Sequence, residues 1–77
     1  MKTEVKIRLS SIEDVRNFVE VVRQYEGDID LSSGRYVVDA KSIMGIFSLD
    51  LMKPIALTAY GESSDQILPL LKDYIVG

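Results

Sequence analysis

The sequence predicts an α/β (α+β) fold, an open-faced β-sandwich with a four-stranded, mainly antiparallel sheet covered on one side by three helices. Segments that alternate apolar and polar residues predict strands with one buried and one solvent-exposed face. Segments with apolar residues at helical spacing predict helices that lie on the buried face. These segments follow one another in the order βαββαβα, which favours a one-sided helical layer on an antiparallel sheet.

The composition restricts what such a chain can do. It has 77 residues, 47% hydrophobic and 27% charged, which predicts a single domain over residues 1–77. Because cysteine and histidine are both absent, thiolate metal sites and the usual general base are excluded, and we expect no metal or other cofactor. A net charge of -3 and the lack of a long apolar run argue against nucleic-acid and membrane partners and favour a cytoplasmic protein.

The first strand and helix are predicted by residues 4–22. Strict alternation over residues 4–9 indicates a strand. Ser10, Ser11 and Glu13 then predict a capping box in which Glu13 reaches back to the serine, and Gly27 is expected to stop the helix. The apolar stripe of this first helix is predicted to be Ile12, Val15, Phe18, Val19 and Val22.

A hairpin and a second, short helix follow. Residues 28–31 and 36–38 favour strands, and the serine- and glycine-containing segment between them favours a turn. Ser42 is predicted to cap a helix over roughly residues 43–51, which ends before Pro54. Gly45 inside this helix costs up to about 1 kcal/mol relative to alanine, so we expect a tertiary contact to hold it.

The last third of the chain predicts one more strand and one more helix. Residues 55–60 alternate as a fourth strand, and residues 61–65 form a loop and cap. The final helix is expected to extend to about Val76. Pro69 is tolerable only near its start, so this helix begins late or carries a kink. Its inner stripe is predicted to be Ile67, Leu68, Leu71 and Ile75.

A family resemblance is carried by residues 41–49, which read Lys-Ser-Ile-Met-Gly-Ile-Phe-Ser-Leu. This run resembles the regulatory serine segment of HPr, the histidine-containing phosphocarrier of the bacterial sugar phosphotransferase system. The likeness continues upstream through residues 24–31, where it matches the end of a helix and a second strand. The resemblance implies the open-faced sandwich predicted above and a role in sugar transport or carbon-source regulation.

The chain departs from the family at the carrier site. In HPr the phosphoryl-accepting histidine stands at the start of the first helix, followed closely by an arginine and a proline. Counting back from Ser42 without gaps places Ser11 at the histidine position, with Glu13 and Asp14 where the other two residues would be. Arginine would steady a phosphoryl group, whereas carboxylates repel it. The chain is therefore expected to be an HPr-like domain with a degenerate carrier site. Because it also lacks histidine, cysteine, a phosphate loop and a metal cluster, we expect no enzymatic activity.

Ser42 has two interpretations. From the residues alone it is an N-cap, a role worth about 1 kcal/mol. The resemblance adds regulatory phosphorylation by a dedicated kinase that switches partner binding. Physical chemistry permits this modification, because a phosphoserine at a helix N-terminus meets free N–H groups and the positive end of the helix dipole.

The second helix is also expected to present a docking surface. Its four apolar residues cannot all point inward from so short a helix, so some of them form an exposed apolar patch. In the family this patch docks onto enzymes and regulators, which implies a protein partner such as HPr kinase/phosphorylase or a transcriptional regulator. The predicted contacts are Ile43, Met44 and Phe47, with Ile46 as the fourth apolar residue.

Two functional hypotheses follow from these residues. The first is a regulatory or adaptor domain of the phosphotransferase type that carries no phosphate on histidine. The alternative is a divergent accessory phosphocarrier with a non-histidine acceptor near Ser11. A genuine acceptor needs cationic groups beside it, so Arg8 or Arg16 lying over Ser11 would favour the alternative.

Overall fold

The structure, a computed structural model, describes residues 1–76. Gly77, the last residue of the predicted domain, lies outside the described residues. In chain order the elements are β1 (Lys2–Ile7), α1 (Ile12–Val22), β2 (Ile29–Ser33), β3 (Tyr36–Asp39), α2 (Ile43–Phe47), β4 (Ile55–Tyr60), a 3₁₀ turn (Ser64–Gln66) that leads into α3 (Ile67–Leu70), and β5 (Ile75–Val76).

The sheet has the strand order β3-β2-β4-β1-β5, and every neighbouring pair is antiparallel. The long central pairing joins β1 to β4, and β2 lies between β4 and β3. The β2–β3 hairpin turns at Gly34, whose φ of 60° suits the first central position of a two-residue hairpin loop. The predicted mixed fold, its antiparallel sheet and its hairpin are therefore confirmed.

The end of the chain differs from the prediction, because the expected long last helix is not formed. The helix α3 ends at Leu70, and the chain turns through Tyr74, whose N–H donates to the Leu71 carbonyl at 2.8 Å. Pro69 lies inside this helix and has no N–H with which to extend the backbone ladder. The last residues instead pair with β1, with Ile75 opposite Ile7. They give the sheet a fifth strand and cover an edge that would otherwise be open.

The other two helices also end earlier than expected. The helix α2 stops at Phe47 rather than near residue 51, and the Ser48 hydroxyl donates to the Gly45 carbonyl at 2.6 Å. The helix α1 ends at Val22, with Arg23 as its C-cap, so Gly27 does not stop it. The Ser48 hydroxyl closes α2, whereas α1 ends where its apolar stripe ends, at Val22.

The core lies between the helices and one face of the sheet. The predicted stripe of α1 is buried except at Ile12, which is 69% exposed. Ile12 is the first residue of the helix, one turn before Val15, and lies at its exposed end. The Phe18 ring packs edge-on against Tyr74, with ring centroids 5.7 Å apart. The fully buried large side chains are Phe18, Ile7, Leu9, Ile29, Leu31, Ile46, Ile55, Leu57, Ile67, Leu71, Val15 and Val22.

Gly27 is required by close packing rather than by helix termination. A Cβ at this position would lie 2.5 Å from the Tyr60 carbonyl oxygen and 2.6 Å from Cε2 of Tyr25. The Tyr25 hydroxyl donates to the same Tyr60 carbonyl at 2.6 Å. The absence of a side chain at Gly27 therefore lets the segment after α1 lie against the end of β4.

We predict that Gly27→Ala destabilises the protein by about 1–3 kcal/mol, the usual cost of forcing extra atoms into a packed site. Urea unfolding followed by circular dichroism measures this difference. The exposed neighbour Gln24→Ala is the control and should change the free energy of unfolding by less than about 0.5 kcal/mol. Equal stabilities for the two variants would contradict the packing role of Gly27.

Candidate functional site

The start of α1 is closed by its own side chains. Ser11 is the N-cap, and its hydroxyl oxygen accepts a hydrogen bond from the Asp14 N–H at 3.0 Å. The Asp14 carboxylate in turn accepts from the Ser10 N–H at 2.9 Å. The predicted capping box is therefore shifted by one residue: Asp14, not Glu13, reaches back, because it is the third residue after the true cap. Glu13 is exposed.

The electrostatics of this helix start are negative. Glu13 and Asp14 both lie in the first turn, where carboxylates complement the positive end of the helix dipole. Burial raises the pKa of the Tyr74 phenol, and the nearby carboxylates of Asp14 and Asp73 raise it further. The phenol therefore stays neutral at pH 7. The anion that a helix start can accommodate is already supplied here by the chain itself.

Arginine does not complete a phosphoryl site at Ser11. The Arg8 guanidinium donates instead to the Met52 carbonyl at 2.8 Å. Within residues 1–76, no hydrogen bond joins Ser11 to Arg8 or to Arg16, and the partner of the Ser11 hydroxyl is Asp14. The structure thus brings the predicted carrier-site residues Ser11, Glu13 and Asp14 together without a cation bound to the hydroxyl.

Ser42 caps α2 as the sequence predicts. Its hydroxyl oxygen accepts from the Gly45 N–H at 3.1 Å, and its own N–H donates to the Asp39 carbonyl at 3.0 Å. A Cβ on Gly45 would lie 3.2 Å from both the Ser42 hydroxyl oxygen and Cβ of Val38. The tertiary contact expected at Gly45 is therefore with β3, and it holds the helix against that strand.

Lys41 fixes the position of this second helix start. Its ammonium group donates to the Tyr25 carbonyl at 2.7 Å and to the Gly27 carbonyl at 3.2 Å. Sequence reasoning missed this role, because nothing local to residue 41 signals two carbonyl acceptors so far away along the chain. Ser42 consequently lies near the C-terminal end of α1, whereas Ser11 stands at its N-terminal end, so the two serines do not share one site.

The apolar residues of α2 divide between the core and the surface. Ile46 is fully buried and Ile43 is half-buried, while Met44 is 77% exposed and Phe47 is 41% exposed. The helix therefore anchors itself through Ile46 and presents Met44 and Phe47 to solvent, an arrangement that a docking surface requires. Sequence reasoning missed Met52, which is 82% exposed. Its carbonyl accepts from Arg8 close to the start of α1.

Residues 1–76 contain neither an acidic metal cluster nor a membrane-spanning helix. No group of three or more acidic side chains is arranged to hold a metal ion. No helix in this range combines the length and the apolar composition needed to cross a bilayer.

The family assignment rests on residues 14–76, which match the family PTS-HPr, described as "PTS HPr component phosphorylation site". The chain belongs to the PTS-HPr family. Phosphocarrier proteins of the phosphotransferase system make up this family. The match begins at Asp14, so Ser11 and Glu13 lie outside the matched residues.

Solved structures of the PTS-HPr family have the same fold. HPr-C-His from Thermoanaerobacter tengcongensis is 25% identical with a TM-score of 0.76, and the alignment covers 95% of this chain and 88% of that chain. The phosphocarrier protein HPr from Bacillus anthracis is 26% identical with a TM-score of 0.75, with 99% and 96% covered. No curated protein sequence matches the chain.

We predict that Lys41→Met destabilises the protein by about 2 kcal/mol, because two carbonyls lose a charged hydrogen-bond donor. Thermal and urea unfolding measure the loss. The exposed Lys53→Met removes the same charge elsewhere and should be nearly neutral. The prediction fails if both lysine variants unfold at the same urea concentration.

Proposed function

We propose that this PTS-HPr family member is a non-enzymatic regulatory or adaptor protein that does not carry phosphate on histidine. The start of α1 carries the proposal. The sequence has no histidine. The Ser11 hydroxyl accepts a hydrogen bond from the Asp14 N–H, and the Asp14 carboxylate accepts one from the Ser10 N–H. The place where the family receives its phosphoryl group is taken up by a closed helix cap.

The geometry also weighs against an acceptor at Ser11. A phosphoryl group at a helix start needs free N–H donors and a nearby cation. Here the Asp14 carboxylate already occupies the Ser10 N–H, Glu13 adds a second carboxylate in the first turn, and Arg8 is bound to Met52. No observation favours the accessory-carrier alternative over the adaptor.

The proposed docking surface is the exposed side of α2, formed by Ile43, Met44 and Phe47. Exposed apolar side chains on a rigid element favour protein recognition, and methionine adapts its shape to different partners. The helix is held rigidly because Ile46 is buried and Lys41 binds the segment after α1. The proposed partner is another cytoplasmic protein, such as HPr kinase/phosphorylase or a transcriptional regulator.

Ser42 is the proposed switch of this surface. Its oxygen already accepts from the Gly45 N–H, and phosphate oxygens would keep that donor satisfied. The first turn of α2 contains no acidic residue, so the added negative charge meets the helix dipole without a neighbouring carboxylate in that turn. Phosphorylation would therefore place charge beside Ile43 and Met44 while the helix remains folded.

The absence of histidine transfer gives a direct test. After incubation with the general enzymes of the phosphotransferase system and labelled phosphoenolpyruvate, the protein is expected to carry no acid-labile phosphate. Histidine phosphate is acid-labile, so the HPr of Bacillus anthracis, treated in parallel, is the positive control. Acid-labile label on any residue of this chain would overturn the proposal, and acid-stable label on Ser11 would support the accessory carrier instead.

The switch is tested with HPr kinase and ATP. Intact-mass spectrometry should find a single added phosphate, and fragment spectra should place it on Ser42. Ser42→Ala is expected to abolish the modification, whereas Ser48→Ala, a hydroxyl loss at the other end of the same helix, should leave it intact. If a native kinase adds no phosphate, the switch is wrong and the adaptor binds its partner constitutively.

A further inference from the structure

The strand β3 forms an edge of the sheet. Its pairing with β2 determines which of its backbone N–H and C=O groups point away from the sheet. The Ala40 N–H donates to the Ile29 carbonyl at 2.9 Å, and pairs in an antiparallel ladder alternate between bonded and non-bonded. Residues 37 and 39 therefore direct their N–H and C=O groups away from β2. The Asp39 carbonyl points away from β2 and accepts a hydrogen bond from the Ser42 N–H.

The side chains of this edge leave it open to another strand. Tyr36 is 63% exposed and Val37 is 64% exposed. The strand Tyr36–Asp39 contains neither proline nor lysine, the residues that commonly block edge pairing. Nothing in the described part of the chain pairs with the outward N–H and C=O of Val37.

The sequence of the edge complements itself. Residues 35–39 read Arg-Tyr-Val-Val-Asp. When a second copy is laid antiparallel with Val37 opposite Val37, Tyr36 faces Val38 and Arg35 faces Asp39 on both sides of the centre. Opposite charges and apolar residues directly across from each other stabilise strand pairs. The outward N–H and C=O of Val37 would then bond those of Val37 in the other copy.

The charge of Asp39 favours such a partner. Asp39 stands directly opposite Asp30 in the β2–β3 pair, and like charges at opposed positions destabilise a sheet. Across residues 1–76 the one salt bridge joins Lys2 to Glu4, so neither aspartate has a cationic partner. Arg35 from a second copy would supply that cation at the edge.

We propose that β3 is a self-association surface on which two copies pair antiparallel about a two-fold axis at Val37. Both sheets then join into one continuous sheet. A pairing of four-residue strands buries less than the roughly 1,200 Å² of the smaller stable interfaces. The dimer is therefore weak and reversible, and it forms as the protein concentration rises.

Charge reversal tests this pairing in sedimentation velocity over a concentration series, with circular dichroism to confirm the fold. The weight-average mass of the wild type should rise above the 8.6 kDa of one chain. Arg35→Asp alone and Asp39→Arg alone each set like charges across the axis, so each should weaken self-association by about tenfold. An equimolar mixture of the two variants restores both opposite-charge pairs and should associate at least as well as the wild type.

A cysteine at the axis gives an independent readout if a charge variant does not fold. The chain has no cysteine, so Val37→Cys carries a single thiol. The two Cα atoms would lie about 5.5 Å apart, within the range that a disulfide spans. Mild oxidation should give a covalent dimer at least tenfold faster than for the more exposed Met52→Cys control.

Three results would overturn the proposal. The first is a wild type that stays monomeric at millimolar concentration. The second is self-association that both charge variants retain, or a mixture of them that remains monomeric. The third is equal oxidation rates for Val37→Cys and Met52→Cys, which would indicate random collision instead of strand pairing.

Discussion

The junction that Lys41 makes with the segment after α1 determines where the rest of the candidate site lies. One ammonium group holds two backbone carbonyls, those of Tyr25 and Gly27. The Tyr25 hydroxyl binds the end of β4 through the Tyr60 carbonyl. The end of the first helix, the end of a central strand and the start of the second helix are thus fixed at one point. Ser42 follows this point directly, so its position is set by the tertiary fold rather than by its own short helix.

The two helix starts show how similar caps lead to different chemistry. Both begin with a serine whose hydroxyl accepts from the N–H three residues later. At α1 the carboxylate of Asp14 completes the cap and supplies negative charge, whereas the first turn of α2 contains no acidic residue. A helix dipole favours an anion at its start. The first turn of α1 already contains acidic side chains. The first turn of α2 contains none, so in the proposed switch a phosphate on Ser42 would supply the anion.

Much of the fold could be predicted because its strands and helices have clear periods. Val15, Phe18, Val19 and Val22 are buried as their spacing indicates, and the hairpin turns at its glycine. The failures come from tertiary contacts. Residues 75–76 follow helical spacing, but pairing with β1 and the interruption at Pro69 make them a strand. The helix start at Ser42 could be predicted from its cap, but the long-range bonds of Lys41 have no local signal.

The strand β3 connects these observations. Its inner face packs through Val38 against Gly45 of α2, its C-terminal carbonyl binds the N–H of Ser42, and its outer edge has no strand beside it. Any partner strand added at that edge would hydrogen-bond to the backbone that carries the start of α2. Asp39 belongs to both arrangements, because its side chain accepts from the Lys41 N–H and it would stand opposite Arg35 of the second copy. In the proposed dimer, neutralising Asp39 from outside would therefore alter the electrostatic field at Ser42, so self-association and modification at that serine would act on each other through a single strand.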